Sequence, residues 1–271
     1  MKRLAVIPSD PLSDYVAQGL GVTLESYYNP GKWFDEVYLL SPLEHEERRE
    51  FGMHIIPTRD RQLCRRIKDL RIDIVRAYGG NWPCDMACNF KVPGVPVVVS
   101  LHDIRPAWLH RSIRRADVIL SVSQGVTELA LKHFRWSNRV WLLPNRVDFA
   151  VMRPLPDKDF AALARKYPFR YSVLQVGRKS PEKNLDTLIR ALALAGDDYC
   201  LLAVGRGDNS EYVRLAKQLG LDRRCFFIES VPNRDLAKYY SFAACVCNPS
   251  RSEAMSFALA EALACGAPVV T

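Results

Sequence analysis

The 271-residue chain contains no apolar run of the roughly 20 residues that a membrane-spanning helix needs, so no segment supports a transmembrane reading. No secretory leader is expected, since the opening MKRLAVIPSD reads as a first buried strand. Without that leader, the eight cysteines fit reduced thiols in a cytosol rather than a disulfide framework, and the expected location is cytoplasmic. Zinc spacing is missing too. Cys84-x3-Cys88 has no matching second pair, and Cys245-x-Cys247 falls on one face of a strand, so these are expected to be core thiols. There is no basic tail: the net charge of +8 is divided evenly between the two halves, and the reading includes no nucleic-acid partner. The length and the 48% hydrophobic content suggest two globular domains with substantial cores.

What is present is an alternation of strands and helices. Short, β-branched, almost wholly apolar strands are expected at residues 2–8, 36–40, 54–56, 72–77, 95–101 and 118–122. Between them lie a loop over 9–21 with Gly19 and Gly21, and a helix from Asp60 with Leu63, Ile67 and Leu70 on one face. Strands that are apolar throughout are buried on both faces, which indicates a parallel, doubly wound α/β sheet. Such sheets bind ligands beyond the carboxyl ends of their strands, where His102-Asp103 and Ser123 follow directly on expected strands. A second series begins at 171–176. It continues through the basic run Gly177-Arg178-Lys179-Ser180-Pro181-Glu182-Lys183-Asn184, a helix over 185–193, and strands at 199–204, 225–228, 243–247 and 268–271.

The stretch from Asn248 to Thr271 is the most informative. Ser256 suits a helix N-cap and Gly266 a C′ position. The free N–H groups of the first turn, at Phe257, Ala258 and Leu259, then face the space beyond a strand end, which is an anion site. Glu253 and Glu261 stand eight positions apart and can border the same ligand. A carboxylate beside a phosphate is repulsive unless it serves hydroxyls elsewhere on the ligand. The ligand suggested is a nucleoside diphosphate-sugar.

E-x7-E followed by C-G-x-P-V-V resembles the donor site of the retaining GT-B glycosyltransferases of family four, the glycosyl transferases group 1. V-G-R followed by P-E-K-N and L-I-R-A is a second, separate likeness. The resemblance implies GT-B architecture: an acceptor-side Rossmann-like domain over 1–150, a linker over 151–170, and a donor-binding domain over 171–271. Because relatives continue past this point, the second domain is expected to be truncated at its C-terminus. It implies Glu253 and His102 near the transferred sugar, Arg178 and Lys183 on the diphosphate, and Glu261 on the ribose. Gly177, Ser256, Phe257, Ala258 and Leu259 complete the expected donor site. The loop over 229–234 is expected to touch the nucleobase through its backbone, which leaves UDP-, GDP- and ADP-sugars open. No cofactor and no metal are expected. The acceptor would be a glycan, a lipid-linked sugar or a small molecule, and the basic residues Arg59, Arg61, Arg65, Arg66, Lys68 and Arg71 leave a peripheral membrane contact open.

Two departures stand out: Ala254-Met255-Ser256 replaces the family's Gly-Phe-Gly, and Arg146 replaces glycine in Asn145-Arg146-Val147-Asp148, where a positive φ would strain it. Asp157-Lys158-Asp159 spells a metal-binding D-x-D, but it stands in a proline-flanked turn instead of at the end of a buried strand. A non-catalytic nucleotide-sugar binder and a sugar-nucleotide epimerase of the same fold remain alternatives.

Overall fold

The computed structural model describes residues 1–17, 21, 24–133 and 137–271; Gly19, in the expected loop after the first strand, lies outside them. The chain divides into two compact bodies, residues 1–145 and 146–271.

The first body is built on β1 (Arg3–Ile7), β2 (Glu36–Ser41), β3 (Arg48–Glu50), β4 (Met53–Pro57), β5 (Ile74–Tyr78), β6 (Val97–Leu101), β7 (Val118–Ser121) and β8 (Val140–Leu142). Their order across the sheet is β3-β4-β2-β1-β5-β6-β7-β8. Every pairing is parallel except β3 with β4. Four successive residues of β1, Leu4 to Ile7, are buried, as expected of a strand covered on both faces. The antiparallel edge is Arg48-Arg49-Glu50, whose charges discourage further strand addition. Helix Asp60–Asp69 begins with the Gln62 side chain accepting the Arg59 N–H at 2.9 Å and buries Leu63 and Ile67. Helix Trp82–Asn89 carries Cys84 and Cys88 into the core, their sulfurs 3.9 Å apart.

The second body holds β9 (Tyr171–Val176), β10 (Tyr199–Val204), β11 (Cys225–Ile228), β12 (Cys245–Cys247) and β13 (Val269–Val270), all parallel, in the order β11-β10-β9-β12-β13. Helix Leu185–Leu194 buries Leu185, Leu188, Ile189 and Leu192, spaced as one helical face, against Val173, Leu201 and Ala203. The opposite face of the sheet packs Leu174, Leu202 and Val204 with Tyr240 and Ala262. Residues 151–170, expected as a linker, contribute to this second core: Met152 and Tyr167 are buried in it, and helix Asp157–Lys166 packs on helix Asn233–Phe242. Asp157 and Asp159 occupy the first turn of their helix, where carboxylates suit its dipole. Arg146 does not take a positive φ, so the turn carries no strain from the missing glycine.

The strand order of the second body reverses direction at β9. Helical crossovers lead one way to β10 and β11, and the other way to β12 and β13. At such a switch point the loops leaving β9 and β12 diverge and open a crevice at their carboxyl ends.

Candidate functional site

Two loops meet at that crevice. The loop after β9 runs from Gly177 through a single 3-10 turn, Pro181–Lys183, to Asn184, which adopts the left-handed conformation (φ 55°, ψ 36°) and starts helix Leu185–Leu194. Asparagine tolerates that conformation better than most residues. Its side chain ties the loops together: Asn184 Nδ2 donates to the Pro249 carbonyl at 3.0 Å, and Arg251 donates to Asn184 Oδ1 at 2.9 Å. The Arg251 N–H also donates to the Glu182 carbonyl at 2.9 Å. The second loop leaves β12 at Asn248 and reaches Ser256, whose hydroxyl accepts from the Leu259 N–H at 3.4 Å to cap helix Phe257–Ala264. That helix ends with Gly266 at φ +75°. Its N–H bonds to the Leu263 carbonyl and the Ala267 N–H to the Ala262 carbonyl, the paired bonds of a Schellman turn.

Between the loops, the Lys183 ammonium is paired directly with Glu253 Oε1. Both side chains are largely covered, at 19% and 26% exposure, so the pair feels less screening than one on the surface. Asn248 Nδ2 approaches the same carboxylate oxygen at 3.5 Å. Ser250 Oγ lies 3.0 Å from it and 2.8 Å from Asn248 Oδ1, sharing one proton between two acceptors. Arg178 turns outward, exposed, and pairs with Glu182 at 3.2 Å. Gly177 lies over Gln175, a fully buried amide on β9 whose Oε1 and Nε2 find no partner among the described residues. The close approach of the loops explains the neighbouring glycine turn: a Cβ at Gly205 would stand 1.9 Å from the Gly177 carbonyl oxygen.

Glu261 sits one turn into its helix. Tyr240 donates to its Oε2 at 2.8 Å and Asn233 to its Oε1 at 3.3 Å, both from helix Asn233–Phe242. Burial raises the Glu261 pKa above the ordinary carboxylate value, against the lowering effect of those two donors. Phe257 is exposed at the head of the helix, with Ala258 and Leu259 half-buried behind it. The second body therefore brings Gly177, Lys183 and Glu253 to one crevice, with Ser256 and Glu261 on the helix that follows it.

His102 belongs to the first body, directly after β6. Its ring stacks on Tyr78 with centroids 6.0 Å apart. Desolvation, helped by the Arg76 guanidinium, lowers its pKa to about 4, so it is neutral at physiological pH. Its Nε2 is buried without a hydrogen-bond partner among the described residues.

Several members of the arrangement were not singled out from sequence. Asn248 and Ser250 steady Glu253, Asn233 and Tyr240 hold Glu261, and Lys179 is buried behind the basic loop. The available signal was position, since Asn248 and Lys179 both lie just past strand ends.

Two doubly wound parallel-sheet bodies, one with cations and carboxylates collected at its switch point, place the protein in the GT-B fold class. The solved structure of Anabaena HepE in complex with UDP and glucose covers 99% of this chain, and the chain covers 80% of that one, with TM-score 0.76 and 16% identity. The family model described as Glycosyltransferase Family 4 matches residues 16–151, and the one described as Glycosyl transferases group 1 matches residues 162–271. The chain belongs to glycosyltransferase family 4. A D-inositol 3-phosphate glycosyltransferase of Kribbella flavida is 35% identical over 175 residues, covering 58% of this chain and 41% of that protein. The enzyme of the same name from Mycobacterium sp. strain KMS is 38% identical over 174 residues, covering 62% and 39%. The chain thus spans about two fifths of the length of these curated relatives.

Proposed function

We propose that the protein binds a nucleoside diphosphate-sugar at the crevice between β9 and β12 and transfers the sugar, with retention of configuration, to a glycan, lipid-linked or small-molecule acceptor. The observation that carries this reading is the Lys183–Glu253 pair at the switch point, flanked by the start of helix Leu185–Leu194. Lys183 supplies charge for a diphosphate, Glu253 an acceptor for sugar hydroxyls, and Glu261 an acceptor for ribose hydroxyls. HepE, which shares the fold, has been solved with UDP and with glucose, in support of a uridine donor among those to test. The names of the curated relatives make inositol phosphates reasonable acceptors to include.

In this reading the bond from the anomeric carbon to the phosphate oxygen breaks with its electrons passing to the phosphate. The acceptor oxygen attacks the same face, and its proton goes to the departing phosphate. A cation about 4 Å from a phosphate oxygen contributes roughly 4 kcal/mol at an effective dielectric of about 20, so Lys183 stabilises the charge that grows as the bond breaks. Arg178, expected beside it, points outward to Glu182 and would join only by leaving that partner and turning inward. Before it can do so, Lys183 must share or relinquish its contact with Glu253, which frees that carboxylate for the sugar. His102, being neutral, would offer Nε2 to a hydroxyl without adding charge.

Calorimetry with UDP, GDP and ADP, together with turnover of the matching donor, tests the reading. Lys183→Ala should lower kcat more than donor affinity, because its charge matters most in the transition state. Glu261→Gln should mainly weaken affinity. Activity should persist with chelator present. Undiminished nucleotide binding in both variants would overturn the site assignment, donor hydrolysis or epimerisation without transfer would redirect the activity, and loss of turnover with chelator would refute metal independence.

A further inference from the structure

Lys179 is a charged residue in the second body that neither the diphosphate nor the sugar reading uses, and it is almost completely buried. Its ammonium donates to the carbonyl of Gly205, just past β10, and to that of Ile228, the last residue of β11, the latter at 2.8 Å. Its backbone N–H donates to the Arg206 carbonyl at 2.7 Å, and Gly207 lies so close that a Cβ there would stand 2.7 Å from the Lys179 oxygen. One residue therefore fastens the loops leaving β9, β10 and β11 to one another. Burying an ammonium carries a desolvation penalty, and an apolar side chain of similar length would fill the volume without it. The burial accordingly lowers the Lys179 pKa, with only Glu229 opposing. The buried ammonium directs its hydrogen bonds to the Gly205 and Ile228 carbonyls, which ties both turns to the basic loop.

The segment held is residues 229–232. It begins at Ile228, under the Lys179 ammonium, and ends at Asn233, which donates to Glu261. If the diphosphate lies on the run 177–184 and the ribose on Glu261, as proposed above, the nucleoside end is directed towards this segment. We propose that Lys179 is a positioning residue for the nucleoside portion of the donor: it sets the distance between the diphosphate loop and the wall formed by residues 229–232. It does not touch the phosphates, which fall to its neighbour Lys183.

The test compares two probes on the same protein: the tightest-binding of UDP, GDP and ADP, and inorganic pyrophosphate. Lys179→Met should weaken the nucleoside diphosphate by about tenfold and leave pyrophosphate within about twofold, with the donor KM rising and kcat little changed. Lys179→Gln, which keeps one neutral donor for the carbonyls, should fall between and provides the measurement if the methionine variant does not fold. Thermal unfolding verifies that each variant is native. Equal weakening of both probes, or no change in either, would overturn the assignment, because a merely structural lysine would not distinguish them. A wild-type protein that binds neither probe would instead overturn the donor-site reading on which this inference rests.

Discussion

Glu261 is a residue at which folding and binding make opposite demands. Burial raises its pKa, so in the window from the ordinary carboxylate value up to the raised one the folded chain holds more protons than the unfolded chain. Stability present at low pH is therefore lost as pH rises through that window. Glu261→Gln removes the titration while keeping an oxygen for the Tyr240 hydroxyl. The variant should melt higher than wild type at neutral pH, with the gap closing on the acid side, even though it binds nucleotide more weakly. Melting curves from about pH 4 to about pH 8 check this against the ordinary glutamate value near 4.3; a variant destabilised equally at every pH would contradict it.

Among the elements, helix Phe257–Ala264 has the most clearly defined ends. Ser256→Ala removes a long, 3.4 Å cap bond, so urea unfolding should show a loss of about 0.5–1 kcal/mol, at the low end for such caps. A larger loss would mean that Ser256 supports more than the first turn. Both ends of this helix were legible in the sequence because a serine cap and a glycine stop act within a few residues of themselves. The long apolar strands β1, β6 and β9 were legible for a similar reason: each carries its burial in its own composition. Edge elements were harder. β3 is Arg48-Arg49-Glu50 with no apolar pattern, and β8 leaves Trp141 and Leu142 exposed. Helix Trp82–Asn89 was not read from the sequence, although Pro83 in its first turn is a local start signal. The inner connections of the site were not legible at all. Lys183 and Glu253 were each named for separate tasks, but their contact joins residues 70 positions apart, and Lys179 finds its carbonyls 26 and 49 positions away.

At the scale of the whole molecule, no helix among the described residues is long and apolar enough to cross a membrane. Arg61, Arg65 and Lys68 project from helix Asp60–Asp69, although Arg65 is paired with Asp69 and Arg66 with Glu47. Each unpaired cation contributes about 1 kcal/mol near an anionic leaflet, and salt screens it. The protein should co-sediment with anionic vesicles at low salt and be released at high salt; failure at both would remove the idea. The strand order has a different consequence, in the sequence of assembly. In the second body β9 is made first and ends up central, so β10 and β11 can add to one side of it as they emerge, while its other side waits for β12. The basic loop is thus synthesised long before its carboxylate partner. A chain still being made up to β11 would already carry Lys183 but not Glu253, and the crevice would take shape only once β12 and the loop after it had been added.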